Sequence, residues 1–134
     1  MLALGCFCGG GVLARHPKLR VAFLEANCSW LPWLLWRLDE AWELDGDVFA
    51  PDLQQKPSDY FKRQCRVSIE PDEVIASNVI EQVGSNYLVF STDYPHVDSR
   101  YPEAVNYFLR LPLSAENKRK ILWDNCMSYY AMAA

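Results

Sequence analysis

Acidic residues and one histidine stand where three apolar runs of this chain stop. Residues 19–26 (LRVAFLEA) lead into Glu25-Ala26-Asn27-Cys28, residues 66–70 (RVSIE) into Glu70-Pro71-Asp72, and residues 87–91 (YLVFS) into Ser91-Thr92-Asp93-Tyr94-Pro95-His96. Carboxylates and imidazole are the donors that hold divalent cations, and a carboxylate beside a cation can take a proton from a metal-bound water. Asp93 is the sharpest candidate, as catalytic residue and as metal ligand, because it directly follows a buried apolar run and Pro95 fixes the chain beyond it. The competing reading is an aspartate that caps a turn or the next helix. Glu25 is the second metal candidate. His96 can contact substrate, bind metal or simply be exposed, and it is assigned with Glu70 to substrate binding. Glu25 and Glu70 each have the alternative of capping the helix that follows.

Other reactive residues have weaker settings. Cys28 stands near the same chain ends, but local sequence puts no histidine beside it to activate a thiolate. His16 precedes its apolar run, at the opposite end from the acidic tips, and reads as structural. Cys6-x-Cys8 lacks the ligand gap of common zinc sites, and no second pair follows it. Gly9-Gly10-Gly11 does not sit between a strand and a helix start, so it is no phosphate-binding loop.

Positioning these residues takes a particular set of elements. The near-continuous apolar run at 19–26 predicts a strand buried on both faces. Pro17 ends the helix before it. Leu31, Leu34, Leu35, Leu38 and Trp42 recur at helical spacing and predict a helix over 31–44 with Pro32 in its first turn. Trp33 and Trp36 project on its charged side, either toward another element or subunit or packed under the next loop. Residues 45–59 read as a long loop.

A strand at 66–70, a helix at 71–83 with Ala76, Val79, Ile80 and Val83 inward, and a strand at 87–91 follow, with Gly84 at the helix C-terminus. A helix at 102–109 comes next. A last helix is capped by Ser114 and carries Trp123, Cys126, Met127 and Tyr130 on its inner stripe. The order β-α-β-α-β-α-α implies parallel strands with helical crossovers. In such folds catalytic groups gather at the C-terminal ends of the strands.

The chain has 134 residues, of which 51% are hydrophobic and 22% charged, the composition of one globular domain. Its net charge of -4 and the absence of a basic block argue against a nucleic-acid partner. Lys118-Arg119-Lys120 reads as a solvated helix face. No apolar run reaches membrane length, which points away from a membrane partner. Five scattered cysteines fit free thiols in the cytoplasm better than a disulfide framework. Three parallel strands leave two edges unpaired, and a (β/α)8 barrel needs about 250 residues. Residues 1–11 read as the tail of a helix. These points together predict an incomplete barrel.

The runs Gly10-Gly11-Val12-Leu13-Ala14-Arg15-His16-Pro17-Lys18-Leu19-Arg20-Val21 and Ser91-Thr92-Asp93-Tyr94-Pro95-His96, with Lys118-Arg119-Lys120-Ile121-Leu122 and Asn125, resemble the amidohydrolase-related family, in the branch of aminocarboxymuconate-semialdehyde decarboxylase and its hydrolase relatives. The resemblance covers essentially all of the chain and corresponds to the C-terminal part of a member, residues 1–134. It implies an α/β fold, the last three β/α units of a TIM barrel. It also implies a divalent metal, typically zinc, and hydrolysis or decarboxylation of a small-molecule substrate. The Asp of Thr-Asp-Tyr-Pro lies at the family's metal site, which carries over to Asp93.

The family also supplies a His-x-His pair and a further histidine, whereas this sequence has only His16 and His96; its decarboxylase members carry another histidine just after the strand equivalent to Val21–Leu24, where this chain has Glu25. The alternative function is therefore a truncated, non-catalytic fragment that folds only with a partner half or as a homo-oligomer.

Overall fold

Two short helices precede the first strand. In the computed structural model, which describes residues 1–130, α1 is Leu2–Cys8 and α2 is Val12–Arg15. Gly11 between them has φ 74°, a left-handed turn that a side chain would disfavour. Strand β1 is Val21–Phe23, then come α3 at Leu31–Phe49, α4 at Pro57–Gln64 and β2 at Cys65–Ile69. Helix α5 is Ala76–Val83, and a 3-10 turn at Ser85–Tyr87 delivers β3 at Leu88–Phe90. Helices α6 at Ala104–Arg110, α7 at Ala115–Arg119 and α8 at Asn125–Tyr130 complete the order, with a π-helical turn at Lys120–Asp124 joining the last two. The expected domain span of 1–134 includes residues 131–134, which lie outside the described residues.

The three strands form one open parallel sheet in the order β1-β2-β3, as the alternation of strands and helices predicts. Strands β2 and β3 pair with Val67 opposite Leu88, Ser68 opposite Val89 and Ile69 opposite Phe90. The central strand is buried along almost its whole length, whereas Val21, Ala22 and Phe23 of β1 are only half-buried. The expectation that the first strand is buried on both faces is corrected here. It has a neighbour on one side only, and the flanking Leu19 and Leu24 are 38% and 50% exposed.

Two compact units divide the chain: Met1–Val21 with Trp30–Cys65, and Ala22–Ser29 with the chain from Arg66 on. In the first, Leu4, Leu13, Leu31, Leu35 and Phe61 form the core. The α3 stripe falls where spacing put it, with Leu31 and Leu35 buried and Leu34, Leu38 and Trp42 half-buried. Trp33 and Trp36 are both 56% exposed.

The stretch 45–59 is not the long loop expected. Helix α3 continues through a kink at Asp45 (φ -139°, ψ 21°) to Phe49, and α4 starts at Pro57. Gly46 permits the kink, because a Cβ there would meet the Trp42 ring at 2.5 Å. Helix α4 has proline in its first turn, Asp59 near its N-terminus and Lys62 and Arg63 near its C-terminus, all favourable to the helix dipole. Its N-terminal Ser58 N–H donates to Oδ1 of Asp39 at 2.9 Å, nineteen residues back on α3, a cap that no local pattern announces.

In the second unit Val67, Ile69, Leu88, Val79, Phe108 and Ile121 are buried, and the Phe90 and Phe108 rings meet at 5.2 Å. The inner stripe of α5 is as expected, but the helix starts at Ala76 because residues 71–75 are spent on turns. Ser114 caps α7 by accepting the Asn117 N–H at 3.2 Å.

The stripe expected for the last helix holds only in part, with Cys126 and Met127 half-buried. Trp123 and Tyr130 are 57% and 64% exposed, and Ile121 and Asn125 are buried instead. The π turn at Lys120–Asp124 is wider than an α turn and rotates the faces that follow. Asn125 uses its amide to donate to the carbonyls of Ser85 at 2.8 Å and Leu88 at 2.6 Å, which holds the entry to β3.

Candidate metal centre

The segments that follow the strands bring Glu25, Glu70 and Asp93 to one rim. A cleft of about 270 Å³ opens there, lined by Glu25, Asn27, Glu70, Pro71, Asp72, Asp93, Asp98 and Arg100. Five of these side chains are carboxylates and one is a cation. Arg100 is already committed to Asp72, with its guanidinium nitrogens 2.8 and 2.9 Å from Oδ2. The cleft therefore keeps an excess of negative charge. Glu70 registers it: burial first, then the carboxylates of Asp93, Glu73, Asp98 and Asp72, push its carboxyl above the ordinary glutamate range.

Glu25, Asp93 and His96 come closest together. Each offers one ligand atom, and the three atoms lie within 4.8 Å of one another. Asp93 is the most enclosed of the pair it forms with His96, their side chains being 14% and 53% exposed. His96 Nδ1 is 2.9 Å from Asp93 Oδ1. A carboxylate can only accept, so Nδ1 carries the proton there and Nε2 of the neutral ring keeps its lone pair. The His96 N–H also donates to the Asp93 carbonyl at 2.9 Å, which closes the turn that aims the ring.

Local structure explains how these side chains are aimed. Glu25 and Asp93 both have left-handed backbones, φ 58° and 57°, as does Asn27 at 54°. Non-glycine residues enter that region at a cost, of order 1–3 kcal/mol, and persist where neighbours hold them. For Asp93 the neighbour is Ser91, whose hydroxyl accepts the Asp93 N–H at 3.3 Å. Ser99 donates from its hydroxyl to the Thr92 carbonyl at 2.7 Å and ties the loop back on itself. For Glu25 it is the buried Ser68 of β2, whose Oγ accepts the Glu25 N–H at 3.0 Å.

Glu70 lines the cleft but is not in the group of three. Cys28 is fully buried, and burial followed by the Glu73 carboxylate drives its thiol up, the reverse of what a nucleophile needs. Sequence reasoning missed Ser68, Glu73 and Arg100, whose partners lie 43, 45 and 28 residues away. Two carboxylate oxygens and an imidazole nitrogen are a donor set suited to zinc or manganese.

The sequence profile of the amidohydrolase family matches residues 7–130. A 2-amino-3-carboxymuconate-6-semialdehyde decarboxylase from Caenorhabditis elegans is 24% identical over 118 residues, which are 88% of this chain and 29% of that protein. Among solved structures, an amidohydrolase from Mycobacterium avium subsp. paratuberculosis K-10 superposes with a TM-score of 0.78 at 20% identity, over 94% of this chain and 32% of its own. A dihydroxybenzoic acid decarboxylase from Polaromonas sp. JS666, with bound manganese and the inhibitor 2-nitroresorcinol, gives 0.77 at 21% identity, over 98% of this chain and 39% of its own. The chain thus spans well under half the length of each of these proteins. The likeness shows the fold: three parallel β/α units of the (β/α)8 barrel type.

Proposed function

This chain belongs to the amidohydrolase family, and from that membership we propose that Glu25, Asp93 and His96 hold a divalent cation for metal-dependent hydrolysis or decarboxylation of a small molecule. The observation that carries the reading is the convergence of three ligand atoms within 4.8 Å at the rim. When bound, the cation supplies Lewis acidity toward a substrate oxygen.

The protein's own residues have separable parts. Asp93 and Glu25 offer hard oxygen donors, and Asp93 is placed to hold or take a proton at a carboxylate oxygen. His96, its ring held by Asp93 in the metal-free site, offers one ring nitrogen to the cation or to substrate. Glu70 lines the cleft, where its carboxyl can face a bound substrate. We assign zinc as the cation, from the mixed oxygen and nitrogen donors. Five cysteines that form no disulfide among the described residues support a reducing, cytoplasmic setting. Among the described residues no helix is long and apolar enough to cross a membrane.

A second reading has its own support in the sheet, where β1 and β3 are edge strands and β1 is half-buried. A chain that completes this sheet by association is active only as an oligomer or with a partner half.

The deciding experiment assays the zinc-loaded chain for carbon dioxide release from hydroxybenzoate-type acids and for hydrolysis of small amides and lactones, with sedimentation to fix its oligomeric state. The reading expects one of these activities and its loss in Asp93→Ala. Undiminished activity in that variant refutes the assignment.

A further inference from the structure

Glu73 is a carboxylate only 8% exposed, in the turn between β2 and α5, and it does not line the cleft. Burying a charge is costly unless hydrogen bonds compensate. Glu73 is compensated chiefly by backbone: its carboxylate accepts the Cys28 N–H at 2.9 and 3.1 Å, the Ser29 N–H at 2.9 Å and the Glu70 N–H at 3.3 Å, and the Cys28 thiol bonds to it as well. Two of the N–H donors belong to the loop after β1, and the third to the tip of β2.

The loop it grips needs external support. Glu25 and Asn27 are both left-handed, a conformation that residues with a Cβ leave unless held. Ser68 anchors the Glu25 N–H from one side and Glu73 anchors Cys28 and Ser29 from the other. The strained pair is thus bracketed by two side chains from β2 and its following turn, neither of which contributes to the group of three.

We propose that Glu73 is a positioning residue for the cation site, holding the 25–29 turn so that Glu25 faces Asp93 and His96. The proposal rests on the metal reading above for its purpose, and on the hydrogen bonds for its geometry.

Its test uses the full chain, Glu73→Gln and Glu73→Asp, with two readouts. The first is hydrogen exchange at the Cys28 and Ser29 amides by NMR in metal-free protein. The second is Mn²⁺ binding by electron paramagnetic resonance. Glu73→Gln keeps the shape but leaves one acceptor oxygen for three N–H groups. It is expected to speed exchange at both amides and to weaken Mn²⁺ binding by about tenfold or more, as loss of a group that orients a ligand does. Glu73→Asp, which keeps both acceptor oxygens and the charge, is expected to recover part of each.

Unchanged exchange, or unchanged Mn²⁺ affinity in a variant whose exchange has accelerated, overturns the proposal. Should Glu73→Gln fail to fold, Glu73→Asp is judged alone by the same two readouts, and unchanged exchange or unchanged Mn²⁺ affinity in it overturns the proposal. A wild-type chain that takes up no Mn²⁺ while both amides stay protected strikes down the cation reading, and with it the purpose assigned to Glu73, but leaves the clasp standing.

Discussion

His96 Nδ1 and Asp93 Oδ1 lie 2.9 Å apart, on residues three positions apart in one loop. The contact holds the imidazole beside the oxygens proposed to bind the cation, so the metal-free pair is organised in advance. Asp93→Asn therefore loses a charged oxygen and weakens the hold on the ring. It is expected to weaken zinc binding at least as much as Glu25→Gln does, in calorimetric titrations of the two variants. Equal affinity of Asp93→Asn and wild type would contradict this pairing.

Glu70 gives a pH-dependent prediction. Its carboxyl is raised by burial and by four neighbouring carboxylates, so its folded pKa lies above the unfolded one. The protonated form is then favoured by folding. Its contribution is fully present below the unfolded pKa, about 4.3, and is lost as pH rises through the raised folded value. Glu70→Gln removes the repulsion at neutral pH. The metal-free variant is expected to melt above wild type at pH 7, with the difference closing toward acid pH. A difference independent of pH would show that the like-charge account is wrong.

Thiol reactivity separates the cysteines. Cys28 is driven up by burial and then by Glu73, and Cys8 by its hydrogen bond with Cys65 and then by burial. Cys6 is exposed. Iodoacetamide at pH 8, followed by peptide mass mapping, is expected to modify Cys6 first and to leave Cys8, Cys28 and Cys65 untouched until denaturant is added. Alkylation of Cys28 as fast as Cys6 would reopen the nucleophile reading.

Asn125 is a stability prediction remote from the rim. Its amide satisfies two backbone carbonyls at the entry to β3. Asn125→Ala leaves both without that donor, and it is expected to cost about 2 kcal/mol in urea unfolding, within the usual penalty for orphaned buried groups. A loss under about 0.5 kcal/mol would mean that water replaces the amide.

The parts of this structure that sequence makes legible are those set by neighbours in the chain. The apolar runs marked all three strands, and reading their ends found Glu25, Glu70 and Asp93 before any geometry. Ser114 announced its cap, and the stripe of α5 followed from spacing. What sequence hid is carried by partners far along the chain. Helix α4 is capped by Asp39 from nineteen residues away, so residues 45–59 looked like loop. The π turn at Lys120–Asp124 shifted the buried face of the last helix onto Ile121 and Asn125. Glu73 looks like any acidic turn residue until its three N–H donors are seen. The left-handed backbones at Glu25 and Asp93 carry no glycine signal at all.

The central claim is that Glu25, Asp93 and His96 converge on one cation. Anomalous diffraction at the zinc edge, from crystals of the zinc-soaked chain, tests it most directly. The account predicts a single strong peak about 2.0–2.2 Å from a Glu25 oxygen, an Asp93 oxygen and a His96 nitrogen. A zinc peak elsewhere, or none at the rim, would contradict it.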